Sequence, residues 1–189
     1  MHIYHNGELD LSSSIVSIGA FDGLHRGHQT LIKKAANRAR AFNVPSVVYT
    51  FNPPPRTFFQ NNLILTTVEE KVDLIKAFDI DYLVIANFNK QYASRPASAF
   101  IEELRHLGPK ELWVGPNFTF GKGKEGDVKL LAEHFHVNVQ PLVTCEDGEI
   151  ISSTRIRNLL KKEECGQVNQ LLGRDYLNHA SVKTAVSRM

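Results

Sequence analysis

A doubly wound α/β fold, with a mostly parallel sheet and helices on both faces, is predicted by three observations. Short β-branched runs alternate with amphipathic stretches of helical period. The first of them, Ile15-Val16-Ser17-Ile18, is apolar on both parities, as a central parallel strand requires. It feeds directly into the glycine-rich turn Gly19-Ala20-Phe21-Asp22-Gly23-Leu24-His25-Arg26-Gly27-His28, which opens a helix.

That helix carries Leu31, Ile32, Ala35, Ala36, Ala39 and Phe42 on one face, with Lys33, Lys34, Arg38 and Arg40 largely outside it. Pro45 precedes a second strand, Ser46 to Phe51, which ends at a stiff Pro53-Pro54-Pro55 turn. Thr66-Thr67-Val68-Glu69-Glu70 reads as a capped helix start, with Val72, Leu74, Ile75 and Phe78 on its buried side. Tyr82 to Ala86 is a third strand, Ala97 to Leu107 a helix, and Leu112 to Gly115 a fourth strand. A helix over Val128 to Phe135 leads to a fifth strand, Val137 to Leu142. A last helix, Arg155 to Leu160, follows Ser152-Ser153-Thr154. No repeat or low-complexity linker divides the 189 residues. One domain is expected over residues 1–189, with a core from about 15 to 176 and a C-terminal tail at 177–189.

Composition excludes more than it selects. With 22 basic and 20 acidic residues the chain has a formal charge of +2, which makes no case for a nucleic-acid partner. Cys145 and Cys165 lack the spacing of a zinc site or disulfide framework. No apolar run is long enough to span a bilayer and the N-terminus lacks the apolar core of a signal peptide, so no membrane partner and a cytoplasmic location are expected.

In doubly wound folds ligands sit beyond the carboxyl ends of the strands, and the polar candidates fall there. Two imidazoles and several backbone N–H groups meet where the first strand turns into its helix, a place suited to a polyphosphate. Gly27 leaves room for a phosphate to approach the backbone. Taken singly, each feature also has an ordinary reading. The histidine pair could be a helix cap and a surface group, Ser152–Thr154 an N-cap cluster, and Arg157 a solvated arginine. Asp22 could close its own turn through an Asx bond, and Asn117 could be a turn residue.

Phe21 to His28, followed by Ile151-Ser152-Ser153-Thr154-Arg155-Ile156-Arg157, resembles the HxGH and ISSTxIR pair of the nucleotidylyltransferase superfamily. Thr50 to Arg56, Leu65 to Lys71, and Val114 to Gly121 with Gly126-Asp127 lie between them. In that order the set resembles the FMN adenylyltransferase module of bacterial bifunctional riboflavin kinase/FAD synthetases. The resemblance implies a Rossmann-like HxGH nucleotidylyltransferase fold that moves AMP from ATP to the phosphate of FMN, releasing pyrophosphate and making FAD. It implies ATP and FMN as substrates and Mg²⁺ travelling with ATP; Asp22 and Asp127 are the possible metal contacts, with no choice between them.

By the same resemblance His25, His28 and Arg157 are catalytic, and Gly19, Phe21, Asp22, Gly27, Ser152, Ser153 and Thr154 bind ATP. Phe51, Pro53, Pro54, Pro55, Phe59, Asn117 and Phe120 form the flavin side. Two positions depart from the family pattern: Pro54 stands where a histidine is usual and Thr119 where an arginine is usual. Family members usually continue beyond Leu172-Gly173-Arg174-Asp175-Tyr176 into a riboflavin kinase barrel, so no riboflavin kinase activity is expected here. The alternatives are a nucleotidylyltransferase with another phosphate acceptor and a weakened homologue that only binds flavin or nucleotide. An aminoacyl-tRNA synthetase fragment shares an HxGH-like turn but needs a lysine loop that this sequence does not show.

Overall fold

A computed structural model describes residues 1–60 and 62–176; the tail expected at 177–189 lies outside the described residues. In chain order the elements are β1 (His2–His5), β2 (Ser14–Ile18), α1 (Arg26–Phe42), β3 (Ser46–Asn52), α2 (Pro55–Gln60), α3 (Val68–Lys76) and β4 (Tyr82–Asn87). There follow α4 (Lys90–Ala93), α5 (Ala97–Arg105), β5 (Pro109–Val114), a small hairpin of β6 (Thr119–Phe120) and β7 (Gly126–Asp127), then α6 (Val128–Ala132), β8 (Val137–Val139), α7 (Ser153–Lys161) and α8 (Cys165–Leu172).

The main sheet has six strands in the order β1-β4-β3-β2-β5-β8, and every pairing in it is parallel. The chain works outward from β2 to β3 and β4, then crosses back to place β5 on the opposite flank of β2. That reversal opens a crevice at the carboxyl ends of β2 and β5, where the loops diverge instead of closing over one another.

Strand alternation puts a core on each face of the sheet. Val16, Ile18, Val47, Tyr49 and Phe51 pack toward Phe100, Ile101 and Leu104 of α5. Val48, Leu83 and Ile85 pack toward Leu31, Ile32 and Ala36 of α1 and Ile75 of α3. The doubly wound expectation therefore holds. A smaller cluster joins Leu65 to Ile151, Ile156 and Leu159 and to Val168, Leu171 and Leu172 of α8, seating the α7–α8 pair beside the turn after β2.

Some expectations are corrected. β1 extends the sheet before the expected core: His2 to His5 pair in register with Tyr82 to Ile85. Four residues at a sheet edge, mostly exposed, carry too little apolar alternation to announce a strand. Pro55 is not part of a turn but the first residue of α2, where its missing N–H costs nothing. β8 stops at Val139, and the Gln140 N–H makes a last bond to the Val114 carbonyl before Pro141, which has no N–H to offer. Phe42 is not in the core: as the last residue of α1 it lies at the surface, with Arg38 at 4.6 Å and Lys110 at 5.8 Å from its ring centre.

Candidate active site

The turn after β2 is held in a conformation that few side chains adopt freely. Phe21 has φ +48°, Gly23 +80° and Leu24 +38°, all in the left-handed region. Phe21 and Leu24 are buried in the core beside α1, and that packing holds their backbone there. The Gly19 N–H still bonds the Tyr49 carbonyl at 3.1 Å, and a Cβ on Gly19 would come within 2.8 Å of the Phe21 ring.

His25 is the N-cap of α1, and its Nδ1 accepts the His28 N–H at 3.3 Å. With Nδ1 an acceptor, the proton of the neutral His25 ring resides on Nε2. The two imidazoles stack with centroids 3.6 Å apart, and Phe21 stands edge-on to His28 at 5.4 Å. Gly27 makes room first of all for His25, whose ring atoms would lie 3.2 Å from a Cβ there. His28 is half-buried as a residue, and its Nδ1 is buried with no partner among the described residues.

Asp22 ties this turn to the far end of the sequence. Its buried carboxylate accepts the Leu65 N–H at 2.9 Å, the Thr66 N–H at 3.3 Å and the Arg157 Nη2. Every one of these contacts is a donor, which suits the anion. The Ser153 hydroxyl donates to the Asp22 carbonyl at 2.8 Å, and the Arg157 Nε donates to the Leu63 carbonyl at 2.7 Å. So Arg157, read from sequence as a fork for phosphate oxygens, is buried with Nη2 and Nε engaged by protein. Ser152 is the N-cap of α7 and accepts the Arg155 N–H at 3.2 Å; Thr154 is exposed and accepts the Arg56 Nη1 at 3.2 Å. Arg174 closes the other side, donating to the Gly23 carbonyl at 2.8 Å and the Leu24 carbonyl at 3.3 Å.

Burial sets the charge of the histidines. It pushes His25 down to about 4, Arg174 working in the same direction against a backbone hydrogen bond. Burial likewise holds His28 well below the usual histidine range, helped by His25 and Lys71. Both rings are held neutral at physiological pH, not the cations that nearby phosphates alone would favour. A consequence for stability follows. As pH falls below about 6.5 the unfolded His25 takes up a proton that the folded ring refuses until about 4, so folding stability drops across that window, by about 3 kcal/mol at its lower end. Thermal unfolding from pH 7 to pH 4 should show His25→Gln losing less stability than the parent; parallel curves would mean that the ring protonates freely in the folded chain.

On the flavin side, Phe51 is only 6% exposed and packs against Phe88, Tyr92 and Phe100. Phe120 is buried against Phe100 and Phe118. Both belong to the hydrophobic core on the α5 face of the sheet. Phe59 is 65% exposed on α2, its ring edge-on to Phe58 at 5.2 Å and Phe88 at 5.9 Å. Pro53 and Pro54 link β3 to α2; Pro54 is buried and its carbonyl accepts the Thr57 hydroxyl at 2.7 Å. Asn117 is exposed on the turn after β5. The nucleotide candidates thus cluster tightly around Asp22, while the flavin candidates line two separate loops.

Asp22 and Asp127, the possible metal contacts, are both engaged: Asp22 as above, and Asp127 as the N-cap of α6, accepting the Leu130 N–H at 3.0 Å. Among the described residues no group of three or more His, Cys, Asp or Glu is placed to hold a metal ion, and no helix is long and apolar enough to cross a membrane. Sequence reading assigned no part to Lys71, Arg56 or Arg174. Each is an ordinary basic residue of a helix or loop until the fold turns it toward a backbone carbonyl or a hydroxyl.

A strained turn with a histidine-capped helix after the first central strand, closed by a second helix start near the C-terminus, defines a nucleotidyltransferase-type α/β site. The chain belongs to the FAD synthetase family, whose model matches residues 8–155. It is 48% identical over 168 residues to a "Putative bifunctional riboflavin kinase/FMN adenylyltransferase" of Geobacillus thermodenitrificans, covering 89% of this chain and 94% of that one. It is 32% identical over 183 residues to the bifunctional riboflavin kinase/FMN adenylyltransferase of Escherichia coli, of which it spans 58%. Among solved structures it is similar to a macrolide-efflux protein from Streptococcus pneumoniae, with TM-score 0.79, 29% identity, and 91% of this chain and 60% of that one covered. A pantothenate synthetase from Thermus thermophilus shares the fold, with TM-score 0.54 at 16% identity over 96% of this chain and 83% of that one.

Proposed function

We propose that this chain makes FAD by transferring AMP from ATP to the phosphate of FMN. The observation that carries the reading is the junction at Asp22, which holds the His25–His28 helix start and the Ser153–Arg157 helix start around one turn. An FMN phosphate oxygen attacks the α-phosphorus of ATP, a new P–O bond forms, and the bond to the β,γ-diphosphate breaks in line. Nothing covalent passes through the protein, so catalysis is positioning plus stabilisation of charge moving onto pyrophosphate.

Residue roles follow from what each side chain has free. His25 offers its Nε2–H, and His28 presents its ring stacked on that of His25 at the same helix start. These neutral imidazoles, with the N-terminus of α1, receive the phosphates; the hydroxyls of Ser152, Ser153 and Thr154 border the same space. Arg157 acts through Asp22, fixing the turn from which both histidines project. Mg²⁺ belongs to the nucleotide and is held chiefly by phosphate oxygens and water, because Asp22 and Asp127 are already engaged. Pro53, Pro54, Phe59 and Asn117 border the flavin, with Phe51 and Phe120 as the apolar wall behind.

The test is product analysis by chromatography after incubation with ATP, Mg²⁺ and FMN, with riboflavin in a parallel reaction. FAD and pyrophosphate from FMN are expected, and the riboflavin reaction serves as the comparison. Nucleotide binding without FAD under any condition would replace this reading with another acceptor or a binding protein.

A further inference from the structure

Lys71 lies in the second turn of α3 and is 3% exposed, so it has almost no surface with which to touch a substrate. Its ammonium donates to the Ala20 carbonyl at 2.9 Å, the Phe51 carbonyl at 3.2 Å and the Thr50 hydroxyl oxygen at 3.3 Å. Three donors meet three acceptors. The Thr50 hydroxyl in turn donates to the Ala20 carbonyl at 3.1 Å. No carboxylate within ion-pair distance of the ammonium is found among the described residues.

Those acceptors belong to the two segments that the reaction must hold apart at one distance. Ala20 is in the turn that carries His25 and His28; Phe51 is the residue before Asn52–Pro53, where the flavin-side loop begins. The β2–β3 ladder runs from Ile15↔Ser46 to Ile18↔Tyr49, and the Gly19 N–H to the Tyr49 carbonyl is the last backbone link between the strands. Past that point the Ala20 and Phe51 carbonyls both turn to the ammonium, which among the described residues is the one group that bonds the two of them. α3 is itself secured: Thr67 and Glu70 form a capping box, the Gly23 N–H bonds the Thr66 hydroxyl at 3.0 Å, and Asp22 takes the Leu65 and Thr66 amides. The lysine therefore projects from a support fastened to the same turn it grips.

Burying an ammonium whose nearest opposing charge, the Asp22 carboxylate, lies beyond ion-pair contact costs stability, and an apolar side chain of equal length would fill the space without that cost. The charge must be kept for what it holds. We propose that Lys71 is a positioning residue that sets the spacing between the nucleotide turn and the flavin loop for in-line transfer. The inference rests on the adenylyltransferase reading, since the spacing matters only if both loops hold reactants.

The experiment compares the parent chain with Lys71→Met, which keeps length and bulk and removes the three donors. We expect a melting temperature no lower than the parent's and dissociation constants for ATP and for FMN, each measured alone, within about threefold. The turnover number for FAD should fall about 30-fold, because misplacement by about 1 Å costs up to about 10² in rate. Thr50→Val, which removes one acceptor and keeps the lysine, should lower turnover by about threefold to tenfold and carries the test if Lys71→Met does not fold. Unchanged turnover in a folded variant, or a turnover loss that only tracks lost affinity and stability, overturns the inference. A parent chain that makes no FAD overturns the proposed function and this inference together, and is recognised before any substitution is made.

Discussion

Replacing His28 by alanine is expected to lower turnover for FAD synthesis by about 10²–10³-fold while the affinity for FMN stays within about threefold. The reason is where charge develops. His28 is neutral, stacked 3.6 Å from His25 and braced edge-on by Phe21, so its direction is set before substrate arrives. A pre-aimed donor gains most as the leaving pyrophosphate acquires charge, and less from the ground state. His28→Gln, which keeps bulk and a donor but not the ring, should recover part of the loss. Steady-state kinetics beside FMN titration decides the matter. Unchanged turnover with weakened binding would make His28 a substrate-binding group only.

Asp22→Ala should cost about 3–5 kcal/mol of folding stability, a fall of roughly 10 °C in melting temperature for a chain of this size. The loss is large because three partners are stranded at once: the buried Arg157 guanidinium and the amides of Leu65 and Thr66. Burial already lifts the Asp22 carboxyl above the ordinary aspartate range, while Arg157, the two amides and Lys71 draw it back. The site thus keeps its anion only because donors surround it. Removing both members, Asp22→Ala with Arg157→Met, should be less damaging than Asp22→Ala alone, since the guanidinium is no longer left buried without its carboxylate. A single substitution costing under about 1 kcal/mol would mean that water satisfies the guanidinium and that the link between the turn and α7 is not what holds them.

Much of this molecule was legible without coordinates because its signals are local. The apolar run Ile15–Ile18 becomes β2, buried along its whole length. Thr67 and Glu70 form the capping box that their three-residue spacing announces. The ordinary readings of His25 and Ser152 as caps hold as well, since each accepts a helix N–H three residues on. His25 is therefore both a cap and a candidate donor, one ring nitrogen serving each purpose. Where the signal was weak the reading fell short. β1 has its partner in β4, some eighty residues away, and four mostly exposed edge residues gave no pattern.

Sequence alone determined the fold class and the order of the central strands along the chain, because periodicity and caps are written between residues close together. The pairing of the two segments at the turn came from their resemblance to a family's motifs, not from any local pattern. Only the tertiary structure decided that Arg157 turns inward to Asp22 and Leu63, that the paired histidines are neutral, and that Lys71 stands between the Ala20 and Phe51 carbonyls. Charge state and hydrogen-bond partner depend on burial and on groups brought from 20 to 135 positions away, and no local pattern encodes either.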